Sequence, residues 1–414
     1  MSTQVLAAAA NERAVTLQAA VHVGGRPAKV LLLLGSLDGG GAERVAINLV
    51  RRCAGHGLDL RLGVLRREGA FLHDLPQDSV VALARPIEGL RGWLSSPEAI
   101  CAMITAAHPD VVMSFGMGVD ALTALAMRRI KGRRPAWIVR ADSNQDAELA
   151  DLQVGRIVRF LADRGVRHVQ RSADAVVAVS DDLARVIDRR AFGGVRRTTV
   201  IHNPLDLHQV HRQAGEPLGV TPIRPFIVAA GRLVRQKGFD LLLDAFERSR
   251  AAAGMELVVL GEGPLEDELR AQAQRLGVAS RVTFLRFTSN PWAWFARAQL
   301  FVLSSRWEGF GNVICEAQAA GAPVLAADCD FGPREQITHG VSGWLCRPED
   351  PAALAEGMDH LLGDGKLRAR LAHEGRRSAA RFAAERVATQ YSQLFCDLAG
   401  VDSRHVNGAN RKFA

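Results

Sequence analysis

The sequence predicts a two-domain α/β protein in which each half is a doubly wound parallel sheet and the halves face one another across a cleft. Three observations carry this. Short apolar runs alternate with amphipathic stretches along nearly the whole chain, the pattern of repeated strand–helix units and so of parallel sheets with helices on both faces. The 414 residues, 48% hydrophobic and 23% charged, suffice for two or three domains with large cores. An Asn203-Pro204 breaker, followed by a polar stretch to Pro225, splits the alternation into two series and reads as an interdomain linker.

Taken in order, residues 1–27 read as a loose leader. Residues 1–25 lack the basic start, long apolar core and cleavage site of a signal peptide. No uninterrupted apolar stretch reaches the length of a membrane span. The reading is therefore of a cytoplasmic protein that touches a membrane only from its inner surface. Ala28–Leu34 is the first strand and runs into Gly35-Ser-Leu-Asp-Gly-Gly-Gly-Ala-Glu-Arg44, with a helix continuing from Val45 to Cys53. Strand, three glycines (Gly39, Gly40, Gly41) and helix is a backbone arrangement that approaches phosphates closely, and equally that of a tight turn. It is neither G-x-G-x-x-G nor a Walker loop.

Leu60–Leu65 and Val80–Leu83 follow as short strands, then a helix over Ile100–Ala107. Asp110–Phe115 and Ala136–Arg140 are strands, with a helix over Ala121–Ile130 between them. Ala173–Ser180 is a strand whose following helix Asp181 and Asp182 cap, and Thr198–Pro204 closes the first series. The second series starts at Phe226–Ala230. Its strands recur at Glu256–Leu260, Arg281–Leu285, Gln299–Leu303, Pro323–Ala326 and Gly343–Cys346, with helices over Pro351–Leu362 and Lys366–Phe395.

A net charge of +8 and a pI near 9.7 favour an anionic partner. Nucleic acid is disfavoured: aromatic content is 6%, there is a single tyrosine, and no basic run is interleaved with aromatics. A nucleotide-linked substrate or an anionic membrane surface remains. The six cysteines, Cys53, Cys101, Cys315, Cys329, Cys346 and Cys396, form no C-x-x-C pair and read as reduced thiols rather than disulfides or a zinc site.

The most informative stretch is Ser304-Ser-Arg-Trp-Glu-Gly-Phe-Gly-Asn-Val-Ile-Cys-Glu316, a glycine-containing loop between a buried strand and a helix that ends at Gly321. Ligands of open α/β sheets bind outside the carboxyl ends of the strands. Glu308 is placed over that crevice and Glu316 one turn into a helix whose free amides attract anions. Two carboxylates for hydroxyls and amides for an anion suit a sugar joined to a phosphate. Alternatively Glu308 complements the helix dipole and Glu316 is solvated. Trp307 and Phe310, interleaved with Gly309 and Gly311, weigh against a plain connection.

Gly231-Arg-Leu-Val-Arg-Gln-Lys-Gly238 puts Arg232 and Lys237 directly after a strand, where two cations suit a diphosphate or form a solvated basic turn. Asp328-Cys-Asp330 spells D-x-D, but a lone aspartate pair is a poor hard-cation site. Loop polarity and capping near Gly332-Pro-Arg-Glu335 suit it better.

With these pieces in place the chain resembles the GT-B glycosyltransferases of family 4, which include bacterial polysaccharide and lipopolysaccharide enzymes. The resemblance rests on Gly39-Gly-Gly-Ala-Glu43, His202-Asn-Pro-Leu-Asp206, Gly231-Arg232 with Lys237-Gly238, Gly261-Glu-Gly-Pro264, the Glu308–Glu316 pair and Gly332-Pro-Arg-Glu335. It spans residue 29 to about 395. It implies an N-terminal acceptor-side Rossmann-like domain over 28–205, completed by a C-terminal helix at about 386–402. A C-terminal nucleotide-sugar domain would cover 206–385, between a 1–27 leader and a 403–414 tail.

By that resemblance Arg232 and Lys237 hold the donor's diphosphate, Glu316 contacts the ribose and Glu308 faces the donor sugar. Gly309, Phe310, Gly311 and Asn312 line sugar and phosphate, and Gly39, Gly40 and Gly41 close over the diphosphate. It implies no metal ion and transfer with retention by front-face attack. Many members carry a histidine beyond the strand matching Trp137–Val139. Here that place reads Arg140-Ala-Asp-Ser-Asn144, making Arg140 and Asp142 the replacement candidates, while His202 reads as structural at the hinge.

The expected reaction moves a sugar from a nucleoside diphosphate sugar, UDP favoured and GDP-mannose open, to a lipid-linked or cell-surface glycan. A sugar-nucleotide epimerase or hydrolase and a non-catalytic sugar-nucleotide scaffold are the alternatives. Turnover without acceptor separates the first, and the presence of both carboxylates and both cations argues against the second.

Overall fold

The structure is a computed structural model that describes residues 26–37, 40–53, 57–69, 80–83, 89–151, 155–191, 194–219, 222–286 and 288–401. The first half contains strands β1 (Ala28–Leu34), β2 (Leu58–Val64), β3 (Val80–Ala82), β4 (Val111–Phe115), β5 (Ala136–Ala141), β6 (Ala175–Ala178) and β7 (Thr198–Val200). Its helices are α1 (Gly41–Cys53), α2 (Gly89–Ala107), α3 (Met117–Met127), α4 (Gln145–Asp151), α5 (Arg156–Ser172) and α6 (Asp181–Ala191). These strands form one parallel sheet in the order β3-β2-β1-β4-β5-β6-β7. Strands covered by helices on both faces read as unbroken apolar runs, as in the Ala-Lys-Val-Leu-Leu-Leu-Leu of β1, whose last five residues are buried.

After α7 (Leu207–Ala214), the second half contains β8 (Phe226–Ala230), β9 (Glu256–Leu260), β10 (Val282–Leu285), β11 (Leu300–Leu303), β12 (Val324–Ala327) and β13 (Trp344–Cys346). Its helices are α8 (Phe239–Arg248), α9 (Glu266–Arg275), α10 (Trp292–Arg297), α11 (Asn312–Ala320), α12 (Pro333–Gln336), α13 (Pro351–Gly363) and α14 (Gly365–Ala379). The parallel order is β10-β9-β8-β11-β12-β13. A last helix, α15 (Ala384–Ala399), returns to the first sheet: Val387, Ala388, Tyr391, Leu394 and Phe395 share a core with α1 and with the face of β1 that carries Val30 and Leu32.

The stretch read as a linker is more ordered than its composition suggests. Leu207, Val210 and Ala214 are spaced for one helical face, Asp206 accepts a hydrogen bond from the Gln209 amide at 2.9 Å, and α7 forms. Two chain segments cross between the halves side by side. The Leu205 amide donates to the Phe382 carbonyl at 2.8 Å, and the Ala384 amide to Leu205 at 2.9 Å. The sequence reading also passed over α4 and α5. All six cysteines are free and four are buried; burial pushes the Cys53 thiol up to about 12. No helix among the described residues is long and apolar enough to cross a membrane.

Chain order reverses between β1 and β4 in one sheet and between β8 and β11 in the other. Such switch points open a crevice at the strands' carboxyl ends. Those ends carry the Gly35–Gly41 loop in the first half, and Gly231–Gly238 with Ser304–Gly311 in the second.

Candidate active site

The loop after β11 is held by the loop after β8. The Arg306 amide donates to the Gln236 carbonyl at 2.8 Å, Gln236 Nε2 donates to the Trp307 carbonyl at 3.0 Å, and Ser304 Oγ donates to the Lys237 carbonyl at 3.0 Å. Gly238 has φ 62°, and a Cβ there would stand 2.1 Å from the Ser304 carbonyl oxygen, so only glycine lets the loops meet. This clamp brings together two residues 71 apart in the chain. Lys237 Nζ donates to Glu308 Oε1 at 2.6 Å and Oε2 at 2.9 Å, and Ser305 Oγ adds a bond to Oε1 at 2.7 Å. Glu308 is 4% exposed, so its charge is compensated almost wholly by protein.

Gly311, at φ 82°, starts α11, and Gln336 Nε2 donates to the Phe310 and Gly311 carbonyls just before it. Glu316 is the fifth residue of α11 and is buried, which excludes the solvated alternative. Arg44 from α1 reaches across the cleft and donates to Glu316 Oε1 at 3.0 Å, with its guanidinium 5.5 Å from the centre of the Trp292 ring. Burial pushes the Glu316 carboxyl up, and Arg44 opposes that. The sequence reading missed Arg44, whose signal was its place three residues past Gly41, in the first turn of the helix.

Arg232 is exposed and its side chain makes no hydrogen bond or ion pair among the described residues; its charge is felt by Glu148 of α4, in the opposite half. Of the expected phosphate cations, Arg232 is unengaged and Lys237 is held by Glu308. Gly41 lies against the start of α11, where a Cβ would stand 3.0 Å from Asn312 Nδ2. Gly40 precedes it, and Gly39 lies outside the described residues.

Arg140, the candidate with Asp142 for the place of the acceptor-side histidine, lies inside the protein. Its side chain is fully buried. It donates to the Tyr391 hydroxyl at 3.2 Å, to Asn203 Oδ1, and to Asp142 Oδ2 at 3.4 Å. It therefore positions Asp142 and Asn203, and Asn203 Nδ2 in turn donates to Asn312 Oδ1 at 2.5 Å across the cleft. Burial pushes the Asp142 carboxyl up, against the pull of Arg140. The Asp142 carbonyl is so close to Gly309 that a Cβ on Gly309 would stand 2.0 Å from it.

At the hinge the His202 ring lies 5.5 Å from Phe310 and 5.3 Å from Phe382. Glu335 accepts from His202 Nε2 at 3.3 Å and from the Asp181 and Asp182 amides at 3.0 and 2.9 Å, tying α12 to the start of α6. Burial raises its pKa, but those hydrogen bonds outweigh it and hold the carboxyl below the ordinary range. Among the described residues, Asp181, His202 and Glu335 form one group close enough to share a cation, and the bonds just described already engage Glu335. Asp328 is bound by Arg334 at 2.9 and 2.7 Å and the Asp330 carbonyl accepts from the Glu308 amide at 3.1 Å, so the D-x-D aspartates organise their loop.

Comparisons with known proteins agree with this geometry half by half. Residues 39–209 match the family model described as Glycosyltransferase Family 4, and residues 216–378 match that of Glycosyl transferases group 1. A lipopolysaccharide core biosynthesis glycosyltransferase, LpsE, of Rhizobium meliloti is 27% identical over 358 residues, 86% of this chain and 95% of that protein. An N-acetylgalactosaminyltransferase of Campylobacter jejuni that acts on a diphospho-undecaprenol-linked sugar is 30% identical over 187 residues, 45% of this chain but only half of its own length. Among solved structures, Anabaena HepE in complex with UDP-glucose superposes with a TM-score of 0.74 at 23% identity, covering 89% of this chain and 99% of that one. Sucrose-phosphate synthase of Thermosynechococcus elongatus does so with 0.74 at 20% identity, covering 90% and 99%. With one family model on each side of the cleft and full-length structural agreement, the chain belongs to family 4 of the GT-B glycosyltransferases.

Proposed function

We propose that this glycosyltransferase moves a sugar from a nucleoside diphosphate sugar, UDP favoured, to a lipid-linked or cell-surface glycan at the inner face of a membrane, with retention and without a metal ion. The observation that carries it is the convergence of Arg232, the Lys237–Glu308 pair, the start of α11 and Glu316 at one switch point. Negative charge develops on the departing diphosphate. Cations and helix amides already in place stabilise it without reorganising, which is the main catalytic resource of such a site.

In this reading Arg232 and Lys237 receive the diphosphate and Glu308 fixes Lys237 while accepting from donor-sugar hydroxyls. Glu316 exchanges its bond with Arg44 for ribose hydroxyls. Gly40 and Gly41 close from the other half, with Gly39 before them. Asp142, held by Arg140, takes the acceptor side. The departing phosphate oxygen accepts the acceptor hydroxyl's proton as the new glycosidic bond forms on the same face. The name of the Rhizobium relative supports lipopolysaccharide or polysaccharide assembly, that of the Campylobacter relative a lipid-linked acceptor, and the UDP-glucose bound to the Anabaena protein the choice of UDP.

The test is thermal unfolding against UDP, GDP, ADP and their sugar conjugates with chelator present. A ligand that binds only the folded state raises the midpoint, by about 2.7 kcal/mol of stability at a hundred times its Kd. A rise with uracil nucleotides alone is expected. A rise with guanine nucleotides alone, or one that needs a divalent ion, would overturn the donor or the metal-free part of the reading.

A further inference from the structure

Among the described residues seven large apolar side chains are exposed, and four of them, Ile157 at 76%, Val158 at 55%, Phe160 at 58% and Leu161 at 60%, sit in the first two turns of α5. All residues from 155 to 161 are exposed, whereas Val169 and Gln170 at the other end are buried. The helix is therefore anchored by its last turns and presents its first turns bare. At 100° per residue the four apolar positions cover an arc about 160° wide, with Arg156 about 40° beyond its edge, Arg164 within it one turn further on and Arg159 on the opposite side. Scattered exposed apolar residues are ordinary, but a contiguous group of this size marks a contact surface.

The charge around the patch says what it contacts. Helix α5 carries five arginines against one aspartate. That aspartate, Asp163, is bound by both Arg167 and Arg190. Arg190, from the end of neighbouring α6, also binds Asp146 of α4. Asp151, the last residue of α4, pairs with Arg235 at 2.8 Å. The Arg164 guanidinium lies 5.7 Å from the Phe160 ring, close to the apolar group. Apolar side chains beside Arg156 and Arg164, with Asp146, Asp151 and Asp163 each paired to an arginine, match an anionic bilayer: the side chains enter the headgroup boundary while the guanidinium groups meet lipid phosphates. The helix has 17 residues, short of the roughly 20 needed to span, so it lies in the interface.

We infer that the first two turns of α5 dock the enzyme on an anionic membrane. Arg156 lies five positions after Asp151, so by chain reach the apolar turns begin within about 18 Å of the Asp151–Arg235 contact, which bridges the two halves at the cleft. Docking there sets the cleft beside the bilayer. The inference deepens the reading of a membrane-borne acceptor.

The test is sedimentation of the full chain with vesicles of phosphatidylcholine alone and of phosphatidylcholine with phosphatidylglycerol in equal parts, without donor or acceptor. Binding to the mixed vesicles is expected, at least about tenfold above phosphatidylcholine alone and weakened as salt rises from about 0.1 M to about 1 M. I157S/F160S and R156E/R164E are each expected to lower it at least about tenfold, with the unfolding midpoint and its nucleotide-induced rise unchanged. Equal binding to both vesicle types, or variants that bind like the wild type, overturns the inference. So does a wild-type dimer that I157S/F160S dissolves, which would assign the patch to a second copy. Because the nucleotide-induced rise reports the donor site alone, loss of vesicle binding and loss of donor binding identify which reading has failed.

Discussion

Replacing Lys237 by alanine tests stability and chemistry separately. Both oxygens of Glu308 are bonded to Lys237 Nζ, and the Glu308 side chain is 6% exposed against 19% for Lys237. Without the lysine, the carboxylate keeps only the Ser305 hydroxyl and the water that enters the vacated space. Removing one partner of a buried pair costs roughly 3–5 kcal/mol, and the partial exposure of Lys237 puts K237A at the low end, about 3 kcal/mol. In K237M/E308Q both charges are gone and the volume is nearly kept, so stability returns to within about 1 kcal/mol of wild type. Activity behaves differently, since the cation that receives the diphosphate is absent in both variants. K237A, E308A and K237M/E308Q each lose at least about a hundredfold in kcat/KM, near 2.7 kcal/mol of transition-state stabilisation. Urea unfolding followed by tryptophan fluorescence gives the first set of numbers and initial rates the second. A double variant as unstable as K237A, or near-normal rates in K237A and E308A, would refute the reasoning.

Three further outcomes follow from the same geometry. E316Q should unfold no earlier than wild type at neutral pH. Burial raises the folded pKa of Glu316, so the stability that the group contributes is full below the ordinary glutamate value of 4.5 and lost as pH rises through the folded value. Its donor affinity should fall about tenfold, near 1.4 kcal/mol, and calorimetric titration checks this. G309A places a methyl group against the Asp142 carbonyl, so the halves cannot close as observed, and kcat/KM should fall at least about tenfold; normal rates would show that this closure is not used. Glu335 has a folded pKa below 4.5, so its contribution is present above 4.5 and lost as pH falls through the folded value. In thermal scans across pH, E335Q should therefore sit below wild type near neutrality and converge with it in acid.

Much of the site was legible because its parts are short and local. Glu308 and Glu316 lie eight positions apart on one loop and helix, and Arg232 and Lys237 lie on one turn, so apolar runs and glycines place each group at a strand end without knowledge of its neighbours. What those groups touch was not legible. Arg44 and Glu316 are 272 residues apart, and Arg140 and Tyr391 are 251 apart. An arginine after a strand reads alike whether solvent or a returning helix surrounds it, so the sequence offers Arg140 as a replacement for the acceptor-side histidine while α15 buries it.

The two series of strands and helices, their parallel pairing and the chemical types at the strand ends follow from local periodicity and composition, which the sequence states directly. Tertiary structure alone decided three things: that Glu308 and Glu316 each hold a cation, that Glu335 straps the halves at His202, and that α5 leaves its apolar turns bare. The reason is physical. Periodicity records which face of an element is apolar, while the charge state of a carboxylate and the covering of an apolar face depend on what distant segments bring against them.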